Sequence, residues 1–262
     1  MTIRIEKLNI FYGRRQALNE VSCQAQAGAI TVVVGPNASG KSTLLRAIAG
    51  LHRPSQGRVL VQRRDSFRSI SRLSPRKRAA QLAYVAQRPA VSARFSVRQV
   101  VSLGRYALTR SEERIDWALD MMKIEEELFE RPYAELSVGQ QQLVAVARAL
   151  AQIAPPINRP LDASDLCLVL DEPTAALDLK HVGVVRHVAR ILADAGATVI
   201  LALHDLTAAA QIGDHAWLLS SGQIAATGPV EEIFEPEHLA EVFGCGFRLV
   251  REIGGAQYIL PA

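Results

Sequence analysis

The sequence predicts an α/β fold built on a mostly parallel sheet, and three observations predict it. Gly35-Pro36-Asn37-Ala38-Ser39-Gly40-Lys41-Ser42 follows the β-branched run Ile30–Val34 and leads into a stretch of helical spacing, Ser42–Ala49. A second apolar run, Leu166–Leu170, empties into Asp171-Glu172-Pro173. Strand-like and helix-like segments alternate between and beyond these two points, the pattern of a sheet covered on both faces. The chain has 262 residues, 49% apolar and 21% charged, ordinary proportions for one large domain or a domain with a subdomain.

Each element follows in order. Residues 1–28 read as antiparallel strands that carry Tyr12. Residues 30–86 hold the glycine loop, its helix and further strands. Residues 88–140 read mainly as helices, with Glu112–Met122 strongly periodic, and form a helical subdomain. The core resumes with the strand ending at Asp171 and with the strand Thr198–Leu203, which delivers His204. The expected organisation is one domain over residues 1–262. Its core, with the antiparallel β subdomain, covers 1–87 and 141–262, and the helical subdomain covers 88–140. Ala154–Asp165 is a Pro-rich polar loop, longer than most. No stretch approaches the roughly 18 apolar residues of a membrane span. The N-terminus lacks a signal-peptide apolar core. Cys23, Cys167 and Cys245 are scattered without C-x-x-C spacing, which suggests a reducing compartment and no zinc site or disulfide framework.

Residues 35–42 fit G-x-x-x-x-G-K-S/T, the phosphate-binding P-loop, in the strand–loop–helix context the motif requires. Gly35 and Gly40 let the loop Pro36-Asn37-Ala38-Ser39 curl so that the backbone N–H groups of Asn37, Ala38, Ser39 and their neighbours point at phosphate oxygens. The start of the next helix, through Thr43, adds partial positive charge. Lys41 reaches the β- and γ-phosphates and the Ser42 hydroxyl ligates Mg²⁺. At the second strand, Asp171 holds Mg²⁺ through water and Glu172 polarises the attacking water as general base. An Asp-Glu-Pro turn after a strand is common by itself. Beside a P-loop it reads as the second half of an ATP site, so the fold expected is that of a P-loop NTPase.

Leu136-Ser137-Val138-Gly139-Gln140, followed by the amphipathic stretch Gln141–Leu150, resembles the LSGGQ signature of ABC transporter ATPases. The resemblance covers essentially the whole chain. It implies that two copies pack head to tail, Ser137, Gly139 and Gln140 of each closing over the ATP of the other. Tyr12 resembles the aromatic that stacks on adenine. Gln87 resembles the Q-loop glutamine, which touches Mg²⁺ and the lytic water. Asp178 resembles the D-loop aspartate at the dimer interface, and His204 the switch histidine on the γ-phosphate. Two positions depart from the pattern. Val138 replaces the first glycine of the signature, adding a β-branched side chain where positive φ is then forbidden. Leu143 replaces an arginine common three residues after the motif.

Within that family the chain resembles the ATPases of iron-siderophore, haem and cobalamin importers. The carrying residues are Leu73–Ala83, Val97–Arg105, Leu177–His181, His204-Asp205-Leu206 and Ala226–Pro229. The Pro-rich loop before Asp171 looks most like the haemin-import branch. The resemblance implies ATP and Mg²⁺ as cofactors, two multispanning permease subunits and an extracytoplasmic substrate-binding protein as partners, and a place on the cytoplasmic face of the inner membrane. A soluble ABC-type ATPase acting on nucleic acid, and an exporter subunit, are the alternatives. Net charge is +4, and Arg and Lys recur from Arg46 to Arg110, where Asp65 is the only acid. From Glu112 to Glu135 acids dominate. Aromatics do not interleave the arginines, against a single-strand nucleic-acid surface. The basic segment is therefore expected to serve a membrane complex. The purified chain should show no tight, steeply salt-dependent binding to DNA or RNA at about 0.15 M salt in a fluorescence titration.

Overall fold

The computed structural model describes every residue except 64, 65, 90, 92, 93, 155–160 and 253–256. Arg64, Asp65 and most of the Pro-rich loop therefore lie outside the described residues. The chain opens with β1 (Ile3–Tyr12) and β2 (Arg15–Ala25), an antiparallel pair as the alternation predicts. It continues through β3 (Ile30–Val34), α1 (Lys41–Ile48), β4 (Gln56–Arg63), β5 (Ser66–Ser69), α2 (Pro75–Ala79) and β6 (Leu82–Val85). The helical segment holds α3 (Val97–Ser102), α4 (Glu112–Met121) and the start of α5 (Val138–Ile153). The rest alternates: β7 (Cys167–Asp171), α6 (Leu179–Asp194), β8 (Thr198–Ala202), α7 (Leu206–Ile212), β9 (His215–Ser220) and β10 (Gln223–Pro229). Two short helices, α8 (Val230–Ile233) and α9 (Pro236–Phe243), lead to the hairpin β11 (Phe247–Arg251) and β12 (Gln257–Pro261).

Six strands form the central sheet in the order β10-β9-β3-β8-β7-β6, all parallel except the β9–β10 pair. A separate antiparallel sheet runs β2-β1-β4-β5. The period of two along each strand divides the core. Val33, Cys167, Val169, Ile200, Ala202, Trp217 and Leu219 pack with α1 and the antiparallel sheet. Val32, Val34, Leu168, Leu170, Val199, Leu201 and Leu218 pack with residues of α3 to α7 on the other face. Cys167 is a buried core residue, as expected, and burial pushes its thiol up to about 12.

Three features differ from the sequence reading. The helical segment is less regular than its composition suggests, because three 3-10 turns separate or flank α3 and α4. Helix α5 is not simply amphipathic. It contacts β6 on one side and α3 and α4 on the other, so Leu143 is buried where the family pattern suggests a polar residue. The basic segment is partly consumed inside the molecule. Arg98 pairs with Glu112 at 3.0 Å and Asp116 at 2.6 Å, and Arg110 pairs with Glu112 at 2.7 Å. Arg105 is buried and donates to the carbonyls of Ala151 at 3.2 Å and Gln152 at 3.3 Å, closing the C-terminal end of α5.

Gly57 marks where β4 meets an irregularity in β1, between Glu6 and Asn9. Its φ is +78°, and a Cβ there would overlap the carbonyl oxygens of Lys7 and Glu6. A left-handed L-residue costs roughly 1–2 kcal/mol and overpacking a similar amount. Gly57→Ala should therefore destabilise the fold by at least about 2 kcal/mol, read as a lower midpoint in urea at unchanged m.

Candidate nucleotide-binding site

Strand β3 turns sharply into α1 through the glycine loop. Gly35 has φ +152° and its Cβ position is already filled by the Leu219 carbonyl oxygen. Gly40 has φ +108° and a Cβ there would lie 2.7 Å from Leu18. The loop is thus shaped by positions that only glycine fills. Lys41, buried at the start of α1, donates to the carbonyl oxygens of Gly35 at 2.8 Å and Pro36 at 3.1 Å. Burial lowers its pKa, while Glu172 and Asp171 act in the opposite direction. The Ser39 hydroxyl is buried with no hydrogen-bond partner among the described residues. An unpaired buried hydroxyl inside a phosphate loop fits an anionic ligand.

A cleft of about 670 Å³ opens over this loop. Asn37, Ala38, Ser39, Gly40, Lys41, Ser42 and Thr43 line it from one side, and Tyr12, Gln87, Glu172 and His204 from the others. The parallel order explains the convergence. The C-terminal ends of β3, β8, β7 and β6 lie side by side, so the residues just past them, the loop, His204, Glu172 and Gln87, share one edge.

Glu172 is the centre. Only 7% exposed, it accepts a hydrogen bond from Gln87 Nε2 on one carboxylate oxygen and pairs with His204 Nε2 on the other. Its φ is +51°, a left-handed conformation that is uncommon and strained for a glutamate. The backbone N–H donates to the Ala202 carbonyl at 3.0 Å, which holds the turn in place. Asp171 is fully buried. Its Oδ1 accepts from Ser42 Oγ and its Oδ2 from the Tyr84 hydroxyl, each at 3.1 Å. Ser42 and Asp171 thus bring two hard oxygen donors together beside the phosphate loop. That donor set fits Mg²⁺, which takes few protein ligands and completes its shell with water and phosphate.

The remaining predicted residues do not line this cleft. Ser137 caps α5, accepting from Gln140 N at 3.2 Å while Gln140 Oε1 accepts from Ser137 N at 3.0 Å, a reciprocal capping box. Gly139 lies against its own chain's Ala176, whose carbonyl oxygen would be 2.8 Å from a Cβ. Val138 occupies the first helical position, 71% exposed and without positive φ, so its side chain causes no local conflict. Asp178 caps α6, accepting from His181 N at 2.9 Å, and that bond holds its carboxyl below the usual range. Leu179 beside it is 92% exposed.

Sequence reasoning missed Arg15, Gln16, Ala17, Ser221 and Gly222, which line the cleft through the β1–β2 turn region and the β9–β10 turn. No motif marks them. It also missed Arg46, whose pKa is raised by the nearby Tyr84 and, less strongly, Tyr12 hydroxyls. Tyr12 in turn meets the His52 ring with centroids 5.0 Å apart. The available signal for Tyr84 was its parity: with Leu82 it faces α1. Burial first, then Asp171, pushes the Tyr84 phenol up to about 12, so it stays a proton donor.

Comparison with known proteins gives the family and the fold. Residues 18–175 match the ABC transporter family. The Hemin import ATP-binding protein HmuV of Ruegeria sp. (strain TM1040) is 34% identical over 269 residues, covering 100% of this chain and 98% of the relative. The protein of that name from Bradyrhizobium diazoefficiens is 36% identical over 251 residues, covering 95% and 90%. Among solved structures, a chain from a metal-chelate type ABC transporter in an inward-facing conformation superposes with TM-score 0.77 at 25% identity, covering 100% of this chain and 97% of that one. The dimeric bacterial ABC cassette MJ0796 superposes with TM-score 0.75 at 26% identity, covering 87% and 98%.

Lys41→Ala removes the ammonium that the loop carbonyls hold at the base of the cleft. It should weaken nucleotide binding itself, by about tenfold or more, the scale of one lost charged hydrogen bond. Equilibrium titration with a fluorescent ATP analogue reads this directly, and unchanged affinity would mean that the loop does not bind phosphate.

Proposed function

The chain belongs to the ABC transporter family, an ATP-binding and ATP-hydrolysing one, and on that premise we propose that it powers an importer of an iron chelate, with haem the favoured cargo. The observation that carries the catalytic reading is the meeting of Gln87 and His204 on the single buried carboxylate of Glu172, beside the Ser42–Asp171 pair. The cargo rests on the hemin-import relatives, 34% to 36% identical over nearly the whole chain. Cargo does not enter the nucleotide cleft, so its identity is barely written in these residues.

The residues divide the work as follows. Tyr12 stacks on adenine. Lys41 exchanges its two loop carbonyls for the β- and γ-phosphate oxygens, and the N–H groups around Asn37–Gly40 and Thr43 hold the phosphates in line. Ser42 and Asp171, with Gln87, hold Mg²⁺, which supplies charge neutralisation when bound. Glu172 accepts the proton of the attacking water, and Gln87 and His204 orient that water and the γ-phosphate from either side. Ser137, Gly139 and Gln140 of a second copy close over the same nucleotide, with Asp178 at the contact. Exposed Val138 and Leu179 support this contact, since both lie beside the residues assigned to it. Closure of the pair would move two membrane permease subunits docked near Gln87 and the helical subdomain of residues 88–140. The remaining residues, 1–87 and 141–262, form the core. A substrate-binding protein outside the membrane would deliver the cargo. The subunit itself would be peripheral, at the cytoplasmic face of the inner membrane. Among the described residues no helix is long and apolar enough to cross a membrane. The nucleic-acid alternative loses weight because Arg98, Arg105 and Arg110 are engaged within the chain.

Glu172→Gln keeps every phosphate contact but removes the base. ATP should still bind, the closed dimer should accumulate, and turnover should fall at least about 10²-fold. Steady-state hydrolysis by the assembled transporter, with size-exclusion analysis in ATP, checks both halves. Near-normal turnover would remove Glu172 from its role.

A further inference from the structure

The Mg²⁺ reading leaves a question about Asp171. Its carboxylate sits on a terminal torsion that is intrinsically broad, so burial alone does not aim its two oxygens. Ser42 engages Oδ1 at 3.1 Å, the oxygen placed toward the phosphate loop. Oδ2, on the far side, accepts a hydrogen bond from the Tyr84 hydroxyl, also at 3.1 Å. Tyr84 stands on β6 in parallel register with Val169 of β7, so its ring runs alongside the strand that ends in Asp171. The phenol is itself approached by the Arg46 guanidinium, one helical turn along α1 from Ser42. Ser42 and Tyr84 therefore hold the two oxygens of the Asp171 carboxylate from opposite sides.

We propose that Tyr84 is a positioning residue that fixes the plane of the Asp171 carboxylate and so sets the affinity of the site for Mg²⁺. Groups that hydrogen-bond the far atom of a metal ligand orient that ligand and make it more basic, and their loss typically costs 10–100-fold in metal affinity.

The proposal rests on the reading of Asp171 as the Mg²⁺ carboxylate, and the test separates the two. Binding of a fluorescent ATP analogue is measured in EDTA and across a MgCl₂ titration, for the wild type, Asp171→Ala and Tyr84→Phe. No hydrolysis is needed for this readout. Tyr84→Phe keeps the ring and its packing. It should bind the analogue in EDTA within about twofold of wild type, yet need about tenfold more Mg²⁺ for the same gain in affinity. Asp171→Ala should lose the gain. If Tyr84→Phe titrates with Mg²⁺ like wild type while Asp171→Ala loses the gain, the positioning role is wrong and the Asp171 reading stands. If Asp171→Ala keeps the gain, both are wrong. Equal weakening of Tyr84→Phe in EDTA and in Mg²⁺ would make the residue a packing element and also overturn the proposal.

Discussion

Parallel pairing of β3, β8, β7 and β6 is the constraint on which the cleft depends. Parallel neighbours all point the same way, so their C-terminal ends fall on one edge of the sheet. The glycine loop leaves β3, His204 follows β8, Glu172 follows β7 and Gln87 follows β6. Residues separated by more than a hundred positions meet because four strand ends are adjacent, and no local turn could bring them together. The strands are held by side chains that alternate between two apolar layers, which leaves little freedom to slip register.

At that edge the structure gathers groups that are costly in isolation. Lys41, Asp171 and Glu172 are all buried, and each has polar partners close by. Lys41 rests on loop carbonyls, Asp171 on two hydroxyls, and Glu172 on an amide and an imidazole. Glu172 also sits at φ +51°. Charged groups held in fixed places in one cleft suit a site arranged for phosphoryl transfer, since catalysis there is mainly placement and charge stabilisation. Of the second set of motif residues, Ser137 and Asp178 satisfy their side-chain hydrogen bonds locally as helix caps and Gly139 lies in the first turn of α5, all away from this cleft. Two half-sites on separate surfaces are consistent with a dimer in which each copy completes the other.

The two departures from the family pattern find physical accounts. Val138 stands at a helix start where β-branched residues are tolerated and its side chain points outward. Leu143 belongs to the core because α5 is wedged between the sheet and the helical segment. The excess of arginine from Arg46 to Arg110, which reads in one dimension as a basic surface, is reduced in three dimensions by its acidic neighbour segment.

Local sequence determined the fold class, the glycine loop, the strand that ends at Asp171 and the candidates Glu172, Gln87 and His204. The loop, the strand and the Asp171-Glu172 pair rest on short-range rules, a loop that only glycine can make, β-branched runs and a carboxylate pair at a strand end, whereas Gln87 and His204 rest on the resemblance to ABC transporter ATPases. Tertiary structure decided what those rules do not reach. The ties of Glu172 to Gln87 and His204, the Tyr84–Asp171 contact and the place of Arg46 depend on strand order, and strand order follows from how the whole apolar set packs. The pairing of Arg98 with Asp116, and the burial of Arg105 at the end of α5, depend likewise on which helices become neighbours. A periodic pattern tells which face of an element is buried, and only the assembled layers tell what that face meets.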